Sequence, residues 1–156
     1  MEDRANPYKA APKVYQAMAA LQAAVNSSGL EGSLMELVKM RASQINGCAY
    51  CLDMHWKDAR AAGESEQRLY LLDAWRESPM YSERERAALE WTEALTKISE
   101  GHVPDAVYAR AKVQFSDAEL ANLSLAIVAI NAWNRLSIAF RAEPGRYEPK
   151  AAKEGK

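Results

Sequence analysis

The sequence predicts an all-α fold, a compact bundle of six or seven helices. Apolar residues recur at spacings of three and four along most of the chain, which is the period of an amphipathic helix. Two Ser-x-x-Glu pairs, Ser82 with Glu85 and Ser116 with Glu119, match the capping box that opens a helix. No long run alternates apolar and polar residues with the period of two that a half-buried strand requires. Together these observations favour helices over sheets.

The predicted helices follow one another with glycine, proline or serine at their ends. Ser33 is the expected N-cap of the second helix. Asn46-Gly47 should end that helix, because glycine tolerates the left-handed conformation of a helix C-cap. The predicted helices are residues 13–27, 36–44, 48–62, a short helix capped by Ser65, 82–98, 105–113 and 117–141.

The chain is predicted to contain an arm, one domain and a tail. Pro7 and Pro12 oppose an early helix, so residues 1–12 are expected to form a loose arm. Residues 13–142 form the helical domain, since 156 residues suit a single domain with its own core. The prolines and lysines that follow predict a flexible tail over residues 143–156.

The composition is that of an ordinary globular protein, with 49% hydrophobic and 26% charged residues. The net charge of −1 gives no electrostatic basis for binding nucleic acid or an anionic membrane. The N-terminal segment lacks the apolar core of a signal peptide, and the longest apolar stretch, around residues 123–133, is too short to span a bilayer. We therefore expect a cytoplasmic protein with no nucleic-acid or membrane partner.

The last predicted helix is apolar almost all round, which calls for burial on every side. A single bundle of this size offers too little surface for that, so we expect self-association. Asn131, Asn134 and Arg135 form a polar patch on this helix, at spacings of three and four. The patch is either a buried network or interface contact, which is the favoured interpretation, or the lining of a pocket.

The two cysteines of the chain occur together as Cys48-x-x-Cys51, directly after the predicted helix end at Asn46-Gly47. Both therefore belong to the first turn of the next helix, where the positive end of the helix dipole favours thiolate over thiol. His55 follows Cys51 by four residues and shares its helix face. A base beside an activated sulfur, with a second sulfur within reach, is typical of dithiol chemistry.

Three interpretations of this pair remain open from spacing alone. In the first, a low-pKa thiolate attacks a peroxide or disulfide and its neighbour condenses with the product. The second is a metal site, for which Cys48, Cys51, His55 and His102 are the Cys and His available, although their spacing fits no common zinc pattern. The third is a pair of inert core cysteines.

Glu36 is ambiguous on physical grounds. It falls opposite the apolar stripe of its helix, and Lys39 lies three residues on. Periodicity therefore favours a solvated Glu36–Lys39 ion pair. The alternative is a buried carboxylate that polarises His55, if the CxxC helix folds back over that face.

The pattern Glu36-x11-Cys48-x2-Cys51-x3-His55, with SQINGCAYC at its centre, resembles the core of AhpD-like alkylhydroperoxidases. These enzymes belong to the carboxymuconolactone decarboxylase family. The later stretch FSDAELANLSLAIVAINAWNRLSIAFR resembles the closing helix of one AhpD-like branch. Together the two resemblances cover well over half of the chain.

The resemblance implies a role for each site residue. Cys51 takes the place of the cysteine that attacks the peroxide, and Cys48 that of the cysteine that closes the disulfide and is opened by the reductant. Glu36 and His55 take the places of a proton relay, which reverses the preference that periodicity gives for a solvated Glu36. One departure is Tyr50, where AhpD has a histidine.

The resemblance also implies a fold and partners: an all-α domain that forms homo-oligomers, here expected to be a trimer to hexamer. We thus expect a thiol-dependent peroxidase that reduces hydroperoxides with an external dithiol or lipoyl-type protein, without metal or organic cofactor. The alternative from another functional class is a non-enzymatic helical oligomer, whose cysteine pair is a redox sensor or a structural relic.

Overall fold

The computed structural model describes residues 4–149, and these residues contain eight α-helices and no β-strand. Two 3-10 turns, Leu72–Ala74 and Ile98–Glu100, follow α5 and α6. The helices are α1 Pro7–Ala10, α2 Pro12–Asn26, α3 Gly32–Asn46, α4 Ala49–Ala61, α5 Glu66–Tyr70, α6 Glu83–Thr96, α7 Asp105–Gln114 and α8 Asp117–Ala139. The all-α prediction is confirmed, and the additional helix is the short α1.

Helix α3 lies at the centre of the bundle and packs against α4, α6 and α8. Leu37 and Val38 of its apolar stripe are both 0% exposed. Val38 packs in one core cluster with residues of α6, α7 and α8, whereas Leu37 belongs to a second cluster with α4, α5 and Trp75. Helix α3 therefore contributes side chains to both core clusters.

The helix N-caps follow the predicted chemistry except at the start of α3. Ser65 accepts a hydrogen bond from the Arg68 backbone, and both predicted capping boxes are present. Ser33 is not an N-cap, because α3 begins one residue earlier, at Gly32, with Glu31 as the extended residue before it. Ser33 therefore lies inside the first turn, where its backbone is already helical.

The N-terminal segment differs from the predicted arm within the described residues. Pro7 is the first residue of α1 and Pro12 that of α2, a position where proline is favoured because its missing N–H is not needed there. The Tyr8 ring packs edge-on against Trp133 of α8 at a centroid distance of 6.4 Å. Residues 1–3 lie outside the described residues.

The C-terminal segment also differs from the predicted tail. Gly145 donates its backbone N–H to Asp53 of α4 at 2.9 Å, and Lys57 donates to the Tyr147 carbonyl at 2.9 Å. Residues 143–149 thus run against α4, while residues 150–156 lie outside the described part. Spacing rules could not predict these contacts, because their partners are about 90 residues apart in sequence.

Helix α8 is not buried on every side in the single chain. The sequence predicts this, because one bundle of this size cannot cover a helix that is apolar almost all round. Val128 is 55% exposed, Ile138 45% and Phe140, just beyond the helix end, 37%. Within residues 4–149 no single helix is long and apolar enough to cross a membrane. Helices α7 and α8 meet that test only as a pair, and they are bent by 117° at their junction.

Candidate functional site

The turn between α3 and α4 places both cysteines. Gly47 ends α3 in the left-handed conformation, with a φ of 68°, as predicted from Asn46-Gly47. The Cys48 backbone N–H then donates to the Ser43 carbonyl at 3.0 Å. Cys48 is the N-cap of α4, and its sulfur accepts a hydrogen bond from the Cys51 backbone N–H at 3.4 Å. The CxxC pair therefore lies at a helix N-terminus, as predicted.

A buried network of amide side chains holds this turn against α8. The Asn46 amide nitrogen donates to Oδ1 of both Asn131 and Asn134, each at 2.9 Å. Asn134 is fully buried and donates in turn to Ser43 Oγ at 3.0 Å. Arg135 caps the network from the exposed side, donating to Oδ1 of Asn131 at 3.0 Å. The polar patch of the last helix is thus a network between helices, the interpretation favoured from sequence.

Cys48 and Cys51 are joined as a disulfide, with their Cα atoms 5.4 Å apart. Both residues are 1% exposed. Neither sulfur is a thiolate ligand in this state, and His102, the fourth residue of the zinc alternative, lies exposed in the connection before α7. The cysteine pair is thus a disulfide at the N-terminus of α4.

Glu36 of α3 and His55 of α4 meet between the two helices. A carboxylate oxygen of Glu36 lies 3.0 Å from Nδ1 of His55, and the other accepts from the Lys39 ammonium at 2.7 Å. The ion pair with Lys39 is therefore present, but the solvated position predicted for it is wrong, since the Glu36 side chain is only 18% exposed. Helix α4 folds back over that face of α3 and covers it.

The electrostatics of Glu36 follow from these partners. Burial is the largest influence and raises the pKa of the carboxyl group. The hydrogen bond and charge of His55, together with those of Lys39, outweigh burial and hold the pKa of Glu36 below its ordinary value. Glu36 is therefore an anion that can orient His55 through Nδ1 and leave its other ring nitrogen available.

Asp58 and Tyr147 also belong to this cluster, although the sequence did not indicate them. Oxygen atoms of Asp58 and Glu36 and a ring nitrogen of His55 all lie within 4.8 Å of one another. The Tyr147 hydroxyl donates to Asp58 Oδ1 at 2.7 Å. Asp58 follows His55 by three residues on α4, a spacing that could have suggested it. Tyr147 has no such signal, because it comes from a distant segment.

Glu36, His55 and Asp58 are also the side chains at this site that could hold a metal ion. A structural zinc site takes four protein ligands and a catalytic one takes three plus water, so the number of ligands does not decide between the two uses of this cluster. The Lys39 ammonium and the Tyr147 hydroxyl already bind oxygens of the two carboxylates. The arrangement suits a hydrogen-bonded proton network better than a cation site.

A cavity of about 610 Å³ opens beside the disulfide on the side of Cys48. Cys48 and the neighbouring residues Gly47, Ala49 and Tyr50 form one wall. The end of α8 and the segment after it supply most of the remaining lining, together with Arg4. The lining residues outside the cysteine turn are Arg4, Ser137, Ile138, Phe140, Arg141, Ala142, Glu143 and Pro144.

The cysteine turn, the buried amide network and the Glu36–His55 contact together lie within α3, α4 and α8. The family model of the carboxymuconolactone decarboxylase family matches residues 12–94, which include all four predicted site residues. The chain belongs to the carboxymuconolactone decarboxylase family. Within that family it is an AhpD-like member, as the sequence resemblance predicted.

The AhpD-like chain has relatives that match it over nearly its whole length. The uncharacterized protein YdfG of Bacillus subtilis is 43% identical over 139 residues, covering 89% of this chain and 95% of YdfG. A protein of unknown function from Agrobacterium tumefaciens, suggested to be the antioxidant defence protein AhpD, has a crystal structure with a TM-score of 0.90. It is 46% identical, over 94% of this chain and 100% of that one.

The debrominase Bmp8 shares the fold. Its crystal structure has a TM-score of 0.74 and 19% identity, over 86% of this chain and 73% of Bmp8. At this identity the likeness concerns the arrangement of helices and carries no chemistry across.

Proposed function

We propose that this AhpD-like protein is a thiol-dependent peroxidase that reduces hydroperoxides through the Cys48–Cys51 pair. The observation that carries the proposal is the 3.0 Å contact between Glu36 and Nδ1 of His55, one helical turn from Cys51. A buried carboxylate that orients an imidazole beside a redox-active sulfur is the arrangement needed to move a proton at that sulfur.

The first half of the cycle oxidises Cys51. Its thiolate, favoured by the N-terminus of α4, attacks the terminal oxygen of the hydroperoxide ROOH. The O–O bond breaks, Cys51 becomes a sulfenic acid, and RO⁻ leaves as an alcohol after taking a proton delivered through His55. Glu36 holds the imidazole in place during this transfer and stabilises its charged form.

The second half of the cycle closes and reopens the disulfide. The Cys48 thiolate attacks the sulfenic sulfur of Cys51, hydroxide leaves and is protonated to water, and the disulfide forms. One thiol of an external dithiol then attacks Cys48, forms a mixed disulfide with it and releases Cys51 as a thiolate. The second thiol of the reductant attacks its own sulfur in that mixed disulfide, so that Cys48 leaves as a thiolate and the reductant becomes a disulfide. The cavity supports this order, because its wall includes Cys48.

The partners follow from this cycle. The substrate is a hydroperoxide, the reductant an external dithiol or a lipoyl-type protein, and no metal or organic cofactor takes part. Dithiol chemistry of this kind suits the reducing cytoplasm. The exposed apolar residues of α8 support assembly into a homo-oligomer, a trimer to hexamer.

Purified protein supplied with cumene hydroperoxide and either dithiothreitol or dihydrolipoamide tests the proposal. Dithiol-dependent loss of peroxide is expected for the wild type. Cys51→Ser should abolish it. Cys48→Ser should stop turnover after one oxidation, and mass spectrometry should then detect sulfenic Cys51. A wild type that forms and reduces its disulfide without consuming peroxide would support the redox-sensor alternative instead.

A further inference from the structure

The segment after α8, residues 143–149, is held along α4 by hydrogen bonds that do not involve the Tyr147 hydroxyl. Gly145 has a φ of 97°, a left-handed conformation that glycine adopts without strain, and its N–H donates to Asp53 at 2.9 Å. Lys57 donates to the Tyr147 carbonyl at 2.9 Å and pairs with Asp53 at 3.1 Å. Asp53 and Lys57 therefore brace the segment through its backbone.

The Tyr147 side chain makes a separate contact that leads into the site. Its hydroxyl donates to Asp58 at 2.7 Å, and an oxygen of Asp58 lies within 4.8 Å of both the Glu36 carboxylate and a His55 ring nitrogen. His55 is thus enclosed by two carboxylates, each held by its own donor. Lys39 holds Glu36, and Tyr147 holds Asp58.

The protonation state of the Tyr147 hydroxyl determines its role beside Asp58. Burial, then the hydrogen bond to Asp58 and the negative charges of Asp58 and Glu36, raise the pKa of Tyr147 to about 12. The hydroxyl therefore keeps its proton throughout the working range of an enzyme. It acts as a fixed hydrogen-bond donor and not as a base.

We propose that Asp58 and Tyr147 are positioning residues for His55, so that the segment after α8 is a functional part of the site. The inference rests on the proposed function, because it assigns these residues to the proton-transfer machinery. In this arrangement Tyr147 fixes the Asp58 carboxylate, and Asp58, within 4.8 Å of a His55 ring nitrogen, limits the orientations of the imidazole beside Glu36. Neither residue exchanges a proton with the substrate.

The test uses the alkylation rate of Cys51 in the reduced protein, followed by peptide mass with limiting iodoacetamide. This rate reports on the thiolate whether or not the protein turns over peroxide, so failure of the proposed function does not obscure the result. Tyr147→Phe keeps the ring and the backbone brace and removes only the hydroxyl. Tyr70→Phe, at a residue of α5 that is 65% exposed, is the matched control.

We expect Tyr147→Phe to slow alkylation roughly 3- to 10-fold and Tyr70→Phe to leave it unchanged. In a His55→Gln background, Tyr147→Phe should have no further effect, because residues that act through one group are not additive. Asp58→Asn provides an independent variant. It should also slow alkylation of Cys51 in the wild-type background and have no further effect in the His55→Gln background. Equal losses in both backgrounds would assign Tyr147 a purely structural role, and no loss in either would remove it from the site. Both results would overturn the proposal.

Discussion

The Glu36 carboxylate lies 3.0 Å from Nδ1 of His55, so that a residue of α3 holds the imidazole of α4. The two residues are 19 positions apart, and the turn at Gly47 and Cys48 brings their helices together. The position of His55 therefore depends on two features: the packing of α4 on α3, and the charge on Glu36.

Replacing Glu36 by Gln should lower peroxide turnover by roughly 10²-fold, the usual scale for a lost proton-transfer partner. The amide keeps the shape of the side chain but cannot stabilise a charged imidazole. His55→Gln should cause a similar loss, and the double variant should be little worse than either single one. Steady-state turnover with a dithiol measures this, with Glu77→Gln at an exposed residue as the control. Unchanged turnover in Glu36→Gln would remove the relay from the mechanism.

Acid should weaken the fold partly through Glu36. The pKa of this carboxyl group lies below its ordinary value of 4.5 in the folded protein. Its stabilisation is therefore complete above pH 4.5 and is lost as the pH falls through the folded-state pKa. The stability difference between wild type and Glu36→Gln should be largest near neutral pH and shrink on acidification. Urea unfolding at about pH 7 and about pH 3.5 checks this, and an equal difference at both would contradict it.

Replacing Asn134 by Leu should lower the free energy of unfolding by about 1–3 kcal/mol, because it leaves buried polar partners unsatisfied. The Asn46 amide and the Ser43 hydroxyl, next to the cysteine turn, would each lose a hydrogen bond. Ala121→Gln, at an exposed position of the same helix, should change stability by less than about 0.5 kcal/mol. Chemical denaturation of both variants measures the difference. Equal small effects would mean that the network contributes little.

Narrowing the cavity beside Cys48 should slow the reductant more than the peroxide. Ile138 lines this cavity, so Ile138→Trp should reduce the rate of disulfide reduction by a bulky dithiol several-fold. Oxidation of Cys51 by hydrogen peroxide, a much smaller molecule, should change less than about 2-fold. Ala121→Trp, at an exposed position on α8 outside the cavity lining, is the matched control. Stopped-flow measurement of each half-reaction separates the two rates, and equal slowing of both would place peroxide entry in the same cavity.

Much of the fold was predictable because local chemistry determines it. The capping boxes at Ser82 and Ser116 and the glycine stop at Gly47 involve residues within a few positions of one another. Capping rules failed at Ser33, because the N-cap is Glu31 and the helix begins two residues earlier than a cap at Ser33 predicts.

The site was predictable where its residues share one helix, as Cys48, Cys51 and His55 do. The burial of Glu36 could not be predicted from periodicity, because periodicity describes one face of a helix and cannot show which other helix covers it. Resemblance to a family indicated that position correctly. Tyr147 could be predicted by neither approach, because its contact with Asp58 joins residues 89 positions apart.

Arg4 and the segment of residues 141–144 line the same cavity, so the first described residue and the segment directly after α8 meet beside Cys48. A tag joined directly before Arg4, or inserted within residues 141–144, would start close to the Cys48 cavity. For protein engineering, an insertion in the loop between the second 3-10 turn and α7, around residues 101–104, is the better position for a label. A linker between the ends, with new termini opened in that loop, would leave the cysteine turn and the Glu36–His55 contact in one continuous stretch of chain.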